Sequence, residues 1–131
     1  ASIRIGIIGY GSLGQYLTDY IQSDEGKQRG LYLSFIYNRT HTKVTDSSNP
    51  SIHKYHLQDL NQISSTDTDL IVEVAHPSVS SDIIIQALNS VSYFCGSPAC
   101  LSDQKLESDV REAVKRTHHS VYIPAGALWG S

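Results

Sequence analysis

The stretch that decides the fold is Ile3-Arg4-Ile5-Gly6-Ile7-Ile8-Gly9-Tyr10-Gly11-Ser12-Leu13-Gly14. Its first half is a short, nearly continuous run of β-branched residues, which is typical of a strand buried on both faces. Its second half has the pattern G-x-G-x-x-G. Apolar residues with the spacing of one helix face come next: Leu13, Leu17, Tyr20 and Ile21. The order of strand, glycine turn and helix predicts the start of a βαβ unit.

The glycine turn predicts a dinucleotide-binding site. Gly9 permits a tight turn, Gly11 lets a pyrophosphate approach the backbone, and Gly14 lets the helix lie close to the strand. The N-terminus of the helix presents free N–H groups and the positive end of its dipole to the phosphates. The predicted cofactor-binding residues of this turn are Gly9, Tyr10, Gly11, Ser12, Leu13 and Gly14. A glycine-rich turn without a ligand is the alternative.

The rest of the chain alternates between apolar strands and amphipathic helices. Further strands are predicted at 31–37, 70–74, 91–95 and 121–123, and helices at 79–88 and 103–114. A short edge strand at 52–57 with a short helix after it, and loops at 23–30 and 38–50, fill the remainder. Strands that alternate with helices indicate right-handed crossovers and a parallel sheet. We therefore predict one α/β domain over residues 1–131, Rossmann-type and doubly wound, with a mostly parallel sheet and helices on both faces.

The end of the second strand selects the cofactor. NAD-specific sites usually carry a carboxylate here, about 20 residues after the glycines, which accepts from the ribose 2′-OH. This strand instead ends in Tyr37-Asn38-Arg39-Thr40. Asn38 can bond a hydroxyl, and Arg39 with Thr40 can hold a 2′-phosphate. We predict that the cofactor is NADP or NAD and that NADP is accepted, with a solvated surface arginine as the alternative for Arg39.

The ends of the later strands are predicted to meet at the same edge of the sheet, because ligands of open α/β sheets bind at the carboxyl ends of strands. The turn Pro124-Ala125-Gly126-Ala127 belongs to this edge. The residues expected along the nicotinamide half of the cofactor are Ala75, His76, Pro77, Gly96 and Ser97. Ordinary strand-to-helix turns are the alternative, since Gly, Ser and Pro suit any turn.

Composition excludes several classes of function. The 131 residues are 40% hydrophobic, enough for one core, and carry a formal net charge of −3. Nothing in this balance indicates nucleic acid or an anionic membrane as a partner. The six histidines and two cysteines form no zinc pattern, so no metal site is predicted. Cys95 and Cys100 are expected to be reduced, mostly buried thiols in a cytoplasmic protein, and a disulfide between them is the geometrically possible alternative.

Two features suggest a piece of a longer protein. The sequence contains no methionine, and it stops at Trp129-Gly130-Ser131 directly after an apolar run. We expect the apolar residues 127–129 to pack on a further domain, or to support self-association as a homodimer.

Five segments resemble the aspartate dehydrogenase family, in order, over essentially the whole chain. They are Gly9 to Gly14, Tyr37-Asn38-Arg39, Glu73-Val74-Ala75-His76-Pro77, Gly96-Ser97-Pro98-Ala99 with Leu101-Ser102-Asp103, and Gly126-Ala127-Leu128-Trp129-Gly130. The glycine pattern is common to many dehydrogenases, whereas the segments from Glu73, Gly96 and Gly126 onward are far more specific.

The resemblance implies oxidative deamination of L-aspartate with NAD or NADP, giving iminoaspartate and then oxaloacetate and ammonia. It carries cofactor binding onto the three glycines of the turn and the nicotinamide-side role onto residues 75–77. It also implies that the catalytic histidine and most substrate-binding groups lie in a second domain beyond residues 126–130. No catalytic residue is therefore assigned, and we expect the 131 residues alone to bind cofactor weakly without turnover.

Two other functions stay open. One is a non-catalytic module that binds or senses NAD(P). The other is the cofactor domain of a homoserine- or sugar-type dehydrogenase. Substrate profiling of a longer protein that contains these residues separates the three.

Overall fold

The computed structural model describes residues 2–75, 81–96, 104–119, 121–122 and 128–129. The strands in these ranges are β1 (Ile3–Ile8), β2 (Leu31–Tyr37), β3 (Leu70–Glu73), β4 (Ser92–Cys95), β5 (Val121–Tyr122) and β6 (Leu128–Trp129). The α-helices are α1 (Ser12–Gln22), α2 (Asp24–Gln28), α3 (Thr42–Thr45), α4 (Ser81–Leu88) and α5 (Gln104–Thr117). Two 3₁₀ helices, Pro50–Tyr55 and Leu60–Ser65, lie between α3 and β3. Within the described ranges, no helix is long and apolar enough to cross a membrane.

The strands form one sheet in the order β2-β1-β3-β4-β5-β6. Neighbouring strands from β2 to β5 are parallel, and β6 pairs antiparallel to β5. Because β1 lies between β2 and β3, the chain changes direction across the sheet at β1, and the carboxyl ends of these three strands share one edge. The predicted Rossmann-type, mostly parallel sheet is confirmed. The antiparallel β6 is an addition that the sequence pattern did not predict.

Helices cover both faces of the sheet, as predicted. Leu88 of α4 and Val114 of α5 pack in one core with Ile8 of β1. Ile21 of α1 packs in a second core with Ile7 of the same strand. Successive strand residues point to opposite faces, so β1 supplies both cores in turn. This explains why residues 5–8 of β1 do not alternate between apolar and polar.

Gly6 interrupts the apolar run of β1 for a steric reason. The register between β1 and β2 shifts after Ile5, which pairs with Leu33, so that Gly6 pairs with Phe35. A Cβ at Gly6 would overlap the Phe35 ring. The buried Phe35 ring therefore occupies the space that a side chain at position 6 would need.

Two segments that were expected to be loops contain short helices. Helix α2 lies within 23–30 and α3 lies within 38–50. The Ser23 hydroxyl accepts from the Gly26 N–H at 3.1 Å and caps α2. Acidic residues in the first turn of α2 add to this effect, since they face the positive end of the helix dipole. Neither helix was predicted, because neither has a run of apolar residues long enough to mark it.

The expected edge strand at 52–57 is wrong, because Pro50–Tyr55 forms a 3₁₀ helix. The Asn49 side chain accepts from the Ser51 N–H at 3.1 Å, and Pro50 fixes the backbone at the first helical position. A single parallel bridge between Ile36 and His56 is what this segment adds to the sheet.

The buried face of α1 also differs from the predicted one. Gly14, Thr18 and Ile21 are buried, whereas Leu13 is 53% exposed. Leu17 is partly buried against the second core. The predicted burial of Leu13 is wrong. Because Gly14 packs against the Gly9 turn, the buried face of α1 begins one residue later than predicted.

Side chains satisfy one another at the amino edge of the sheet. The Arg4 backbone N–H donates to Asp69 Oδ2 at 2.9 Å, and the Arg4 Nε donates to the same oxygen at 3.2 Å. The Asp67 carboxylate pairs with the same guanidinium. The hydrogen bond from the Arg4 side chain is the main cause that lowers the pKa of Asp69. Beside this cluster the hydroxyls of Ser34 and Thr68 lie 2.6 Å apart.

Candidate functional site

The turn between β1 and α1 requires glycine at its first position. Gly9 has a φ of +105°, which L side chains rarely adopt. A Cβ there would also lie 2.6 Å from the backbone nitrogen of Ala75. The Gly9 N–H donates to the Tyr37 carbonyl at 2.8 Å. The turn is therefore held between the ends of β2 and β3.

The second glycine faces open space. A Cβ built on Gly11 would meet no atom within 4 Å. Gly11 is the N-cap of α1, and no side chain caps this end of the helix or places a carboxylate in its first turn. The first N–H groups of a helix have no partner within the helix, so they point outward with the positive end of the dipole. Space and donors together fit a pyrophosphate.

The third glycine brings helix and turn together. A Cβ at Gly14 would overlap the carbonyl oxygen of Gly9 and would lie 3.6 Å from Cγ2 of Val74. Helix α1 thus lies directly against the turn and the end of β3. The glycine spacing predicted this close packing at Gly14, and the geometry agrees with it.

Asn38 fastens the glycine turn to the end of β2. Its Oδ1 accepts from the Tyr10 N–H at 2.8 Å, and its Nδ2 donates to the Thr40 carbonyl at 2.9 Å. From the sequence, Asn38 was expected to bond a ribose hydroxyl. The structure adds a second task, because the same amide fixes the backbone of the predicted phosphate-binding turn.

The remaining residues of the turn face different ways. The Tyr10 side chain is 4% exposed and packs in the second core, where burial raises its pKa. Ser12 and Leu13 are exposed in the first turn of α1. The Tyr10 ring is therefore buried and the Tyr10 N–H is bonded to Asn38, whereas the side chains of Ser12 and Leu13 are open to solvent at the helix N-terminus.

Arg39 and Thr40 lie at the end of β2 and are both exposed. The Arg39 guanidinium has no hydrogen bond or ion pair with any of the residues that the structure describes. A free guanidinium beside the turn has the donors that a phosphate accepts from in pairs. The placement is compatible with the predicted 2′-phosphate contact.

The nicotinamide-side residues are described only in part. Ala75 follows β3 and contacts the glycine turn, and the Gly96 N–H donates to the Glu73 carbonyl at 2.8 Å after β4. A Cβ at Gly96 would lie 2.7 Å from that carbonyl oxygen, so the strand ends pack closely. The structure brings Gly9, Asn38, Ala75 and Gly96 to one edge. His76, Pro77 and Ser97 lie outside the described residues.

A buried carboxyl group lies next to this edge of the sheet. Glu73, the last residue of β3, is fully buried, and the Tyr93 hydroxyl donates to its Oε1. Burial, and then the Glu73 charge, raise the pKa of Tyr93 well above its ordinary value. No chemical role was predicted for Glu73. A glutamate inside the apolar run 70–74 is the signal that indicates such a pair, since a buried charge requires a partner.

A pair of histidines beside the end of β2 was also missed. His41 Nδ1 and His56 Nε2 lie 2.8 Å apart, and the His41 ring meets the Tyr37 ring edge-on with centroids 5.4 Å apart. In the described ranges, no three His, Cys, Asp or Glu residues group as a metal site would. The two histidines are 15 positions apart in the sequence, so spacing gave no signal of their contact.

The cysteine at the end of β4 corrects an expectation. Cys95 is fully buried and is disulfide-bonded, whereas a reduced thiol was expected. The sequence contains one other cysteine, Cys100, which lies outside the described residues. The expectation was wrong because it rested on the cellular compartment, which is a weaker guide to the state of a thiol than the local geometry.

The sequence is similar to known cofactor-binding domains. Residues 9–124 match the family model described as "Homoserine dehydrogenase, NAD binding domain". A relative from Danio rerio named "Aspartate dehydrogenase domain-containing protein" is 43% identical over 98% of this chain and 45% of its own length. One with the same name from Xenopus tropicalis is 37% identical over 98% of this chain and 44% of its own. The resemblance to the aspartate dehydrogenase family is confirmed.

More distant similarities agree with the fold. "L-aspartate dehydrogenase" of Methanocaldococcus jannaschii is 27% identical over 98% of this chain and 47% of its own length. The apo scyllo-inositol dehydrogenase of Lactobacillus casei has a TM-score of 0.76 at 18% identity, covering 94% of this chain and 36% of that one. This likeness shows the fold alone. The chain spans less than half the length of the curated relatives from Danio, Xenopus and Methanocaldococcus.

Proposed function

We propose a reaction for the protein to which this chain contributes its cofactor domain. The premise is that the chain belongs to the family of the homoserine dehydrogenase NAD-binding domain. It is accordingly an NAD-binding domain of an oxidoreductase, with NAD or NADP as cofactor. We propose that the protein it serves is a dehydrogenase that oxidises L-aspartate. The single observation that carries the cofactor part is the open space at Gly11 in front of the uncapped N-terminus of α1.

In this proposal the residues predicted at the carboxyl edge bind different parts of the cofactor. The N-terminal amides of α1 bind the pyrophosphate, and Gly11 leaves room for it. Asn38 holds the turn in place, and Arg39 with Thr40 contacts the ribose end. Ala75 and Gly96 border the nicotinamide half, together with His76, Pro77 and Ser97.

The substrate part of the proposal rests on the relatives. The 43% identical protein and the archaeal enzyme are both named for aspartate dehydrogenase. Bound at this edge, NAD or NADP would supply the hydride acceptor for the oxidation of L-aspartate to iminoaspartate, with loss of a proton from the amine. Water then converts the imine to oxaloacetate and ammonia. Hydride transfer would require the Cα–H of the substrate to be held close to the cofactor bound at this edge.

Homoserine is the second candidate substrate, because the family model that matches is described by that enzyme. The test is a dehydrogenase assay of a longer protein that contains these residues, with L-aspartate, L-homoserine and scyllo-inositol, and with each cofactor. NAD(P)H production with L-aspartate alone supports the proposal. Production with another substrate and none with L-aspartate contradicts it.

We also propose that residues 1–131 form one NAD(P)-binding domain and that the catalytic group comes from outside them. The support is that the relatives are about twice as long as the matched region. The isolated 131 residues are then expected to bind NAD(P) weakly and to give no aspartate-dependent NAD(P)H. Robust turnover by this polypeptide alone contradicts the proposal.

Cofactor preference has its own test. Replacing Arg39 with Ala is expected to weaken NADP binding about tenfold and to leave NAD binding unchanged, since a guanidinium–phosphate pair contributes on the order of 1–2 kcal/mol. Fluorescence titration of both dinucleotides measures the two dissociation constants. An unchanged NADP affinity removes Arg39 from the site.

A cytoplasmic location and a homodimer are further proposals. Disulfides are more typical of oxidising compartments, so the disulfide at Cys95 is the observation against the first. Cell fractionation with thiol labelling tests the location, and analytical ultracentrifugation tests the dimer.

A further inference from the structure

The His41–His56 contact is a hydrogen bond between two titratable groups. With their nitrogens 2.8 Å apart, one ring donates an N–H and the other accepts with its lone pair. One added proton keeps the contact, because a charged N–H then faces a neutral nitrogen. A second added proton breaks it, because two N–H groups would meet. The pair therefore has a stable form that carries one positive charge.

This pair lies at the predicted ribose end of the dinucleotide site. His41 directly follows Thr40, and its ring turns back onto Tyr37, the last residue of β2. The Tyr37 carbonyl is the same group that accepts from Gly9 in the phosphate-binding turn. His56 is held from the other side by its bridge to Ile36. The pair thus contacts the end of β2, where the proposed function would place the adenosine ribose.

The other polar and charged groups of the surrounding elements are occupied elsewhere or exposed. His53 bonds the Ser47 carbonyl at 2.8 Å, and the Lys54 ammonium lies over the Tyr55 ring. At the start of the second 3₁₀ helix, the Asp59 carboxylate accepts from the Asn61 N–H. Asp46 and Lys43 of the α3 segment, and Arg39 before it, are exposed.

The protonation of His56 responds to the pair itself. Burial, and then the neighbouring His41, lower the pKa of His56. Both causes favour the neutral form of the His56 ring in the free domain. An anion placed close to the pair favours the charged form instead.

We propose that the His41–His56 pair belongs to the ribose end of the site and takes up a proton when a dinucleotide with a 2′-phosphate binds. This rests on the proposed function and deepens it. The two negative charges of the phosphate favour the singly protonated pair, whereas the uncharged 2′-hydroxyl of NAD does not. Discrimination between the two cofactors then depends on pH, with NADP gaining as pH falls.

Calorimetric titration of the chain with NADP and NAD tests the proposal, in buffers that differ in ionisation enthalpy. This counts the protons taken up on binding. From pH 8.5 to pH 6.5, we expect NADP affinity to rise about tenfold more than NAD affinity, which corresponds to one pKa unit of linkage. The phosphate group itself takes up protons near pH 6. The variants His56→Gln and His41→Gln retain that contribution and lose the contribution of the pair.

The control is His53→Gln, on the same 3₁₀ helix but outside the pair, and it keeps the wild-type proton uptake. Equal uptake by wild type and both pair variants overturns the proposal while the proposed function stands. Binding of neither dinucleotide by wild-type chain overturns both. Thermal denaturation shows which pair variant is folded, and either folded variant decides the outcome. If both unfold, the affinities of His53→Gln for NADP and NAD, and for 2′-AMP and 5′-AMP, are measured from pH 8.5 to pH 6.5. A ratio of NADP affinity to NAD affinity that does not change with pH overturns the proposal.

Discussion

The polar groups at the two edges of the sheet differ in whether side chains of the chain itself satisfy them. At the amino edge, the side chains of Arg4, Asp67 and Asp69 satisfy one another. At the carboxyl edge, the Gly9 turn is held by backbone and amide contacts, and the first N–H groups of α1 have no side-chain cap. Charged side chains that pair with each other leave little to offer a ligand. Oriented backbone donors in front of an open space can bind a ligand, and for this reason we propose the site at the carboxyl edge.

The largest expected effect comes from breaking the carboxyl edge at Gly14. In Gly14→Ala the new Cβ overlaps the Gly9 carbonyl oxygen, which is backbone and has no rotamer to move to. We expect a loss of about 3 kcal/mol in the free energy of unfolding, as for a severe overpacking change. Urea denaturation measures it. A variant as stable as wild type would mean that α1 does not lie against the turn.

The next effect comes from Asn38→Leu, which removes the acceptor for the Tyr10 N–H. A partly buried donor left without a partner costs about 1–2 kcal/mol. Asn38→Asp is the matched control, because its carboxylate keeps the acceptor and restores most of that stability. The same carboxylate repels a 2′-phosphate, so its NADP affinity falls relative to NAD. Chemical denaturation and cofactor titration separate the two roles of Asn38.

A third substitution tests whether the space at Gly11 holds the pyrophosphate. Gly11→Ala has a Cβ with no atom within 4 Å, so we expect the free energy of unfolding to change by less than about 0.5 kcal/mol. The same methyl group enters the space proposed for the pyrophosphate, and we expect dinucleotide affinity to fall at least about tenfold. Unchanged affinity would place the pyrophosphate elsewhere.

The smallest effect is expected at the amino edge. The lowered pKa of Asp69 means that its pairing stabilises the fold above the ordinary pKa of aspartate. This contribution is lost as pH falls through the lowered value. The side chain is 41% exposed, so solvent weakens the contribution. Asp69→Asn therefore lowers the melting temperature slightly at pH 7 and not at pH 2, and dinucleotide binding is unchanged.

Much of the fold followed from residues with strong local signals. The apolar runs of β1 and β2 and the glycine spacing predicted both strands, the turn and the parallel sheet. The short helices at 24–28 and 42–45 did not follow, because they lack a long apolar stripe and the first depends on the Ser23 cap. The rotated face of α1 did not follow either, since Gly14 has no side chain to mark it as the contact residue.

The backbone geometry of the candidate site followed from the sequence, whereas the contacts between distant side chains did not. Gly9, Gly11 and Gly14 occupy the places that their spacing indicated. The contact of Asn38 with Tyr10 joins residues 28 positions apart, and that of His41 with His56 spans 15. Such pairs depend on how the chain returns past the end of β2, which no local pattern records.

The position of β1 in the sheet has a consequence during synthesis. This isoleucine-rich strand precedes both of its neighbours in the chain, and its pairing with β3 has to await Leu70–Glu73. A ribosome makes the chain from its N-terminus, so β1 emerges with both hydrogen-bonding edges open. Until β2 and β3 follow, this apolar strand has neither of its partners in the sheet, and unpaired apolar strands favour aggregation.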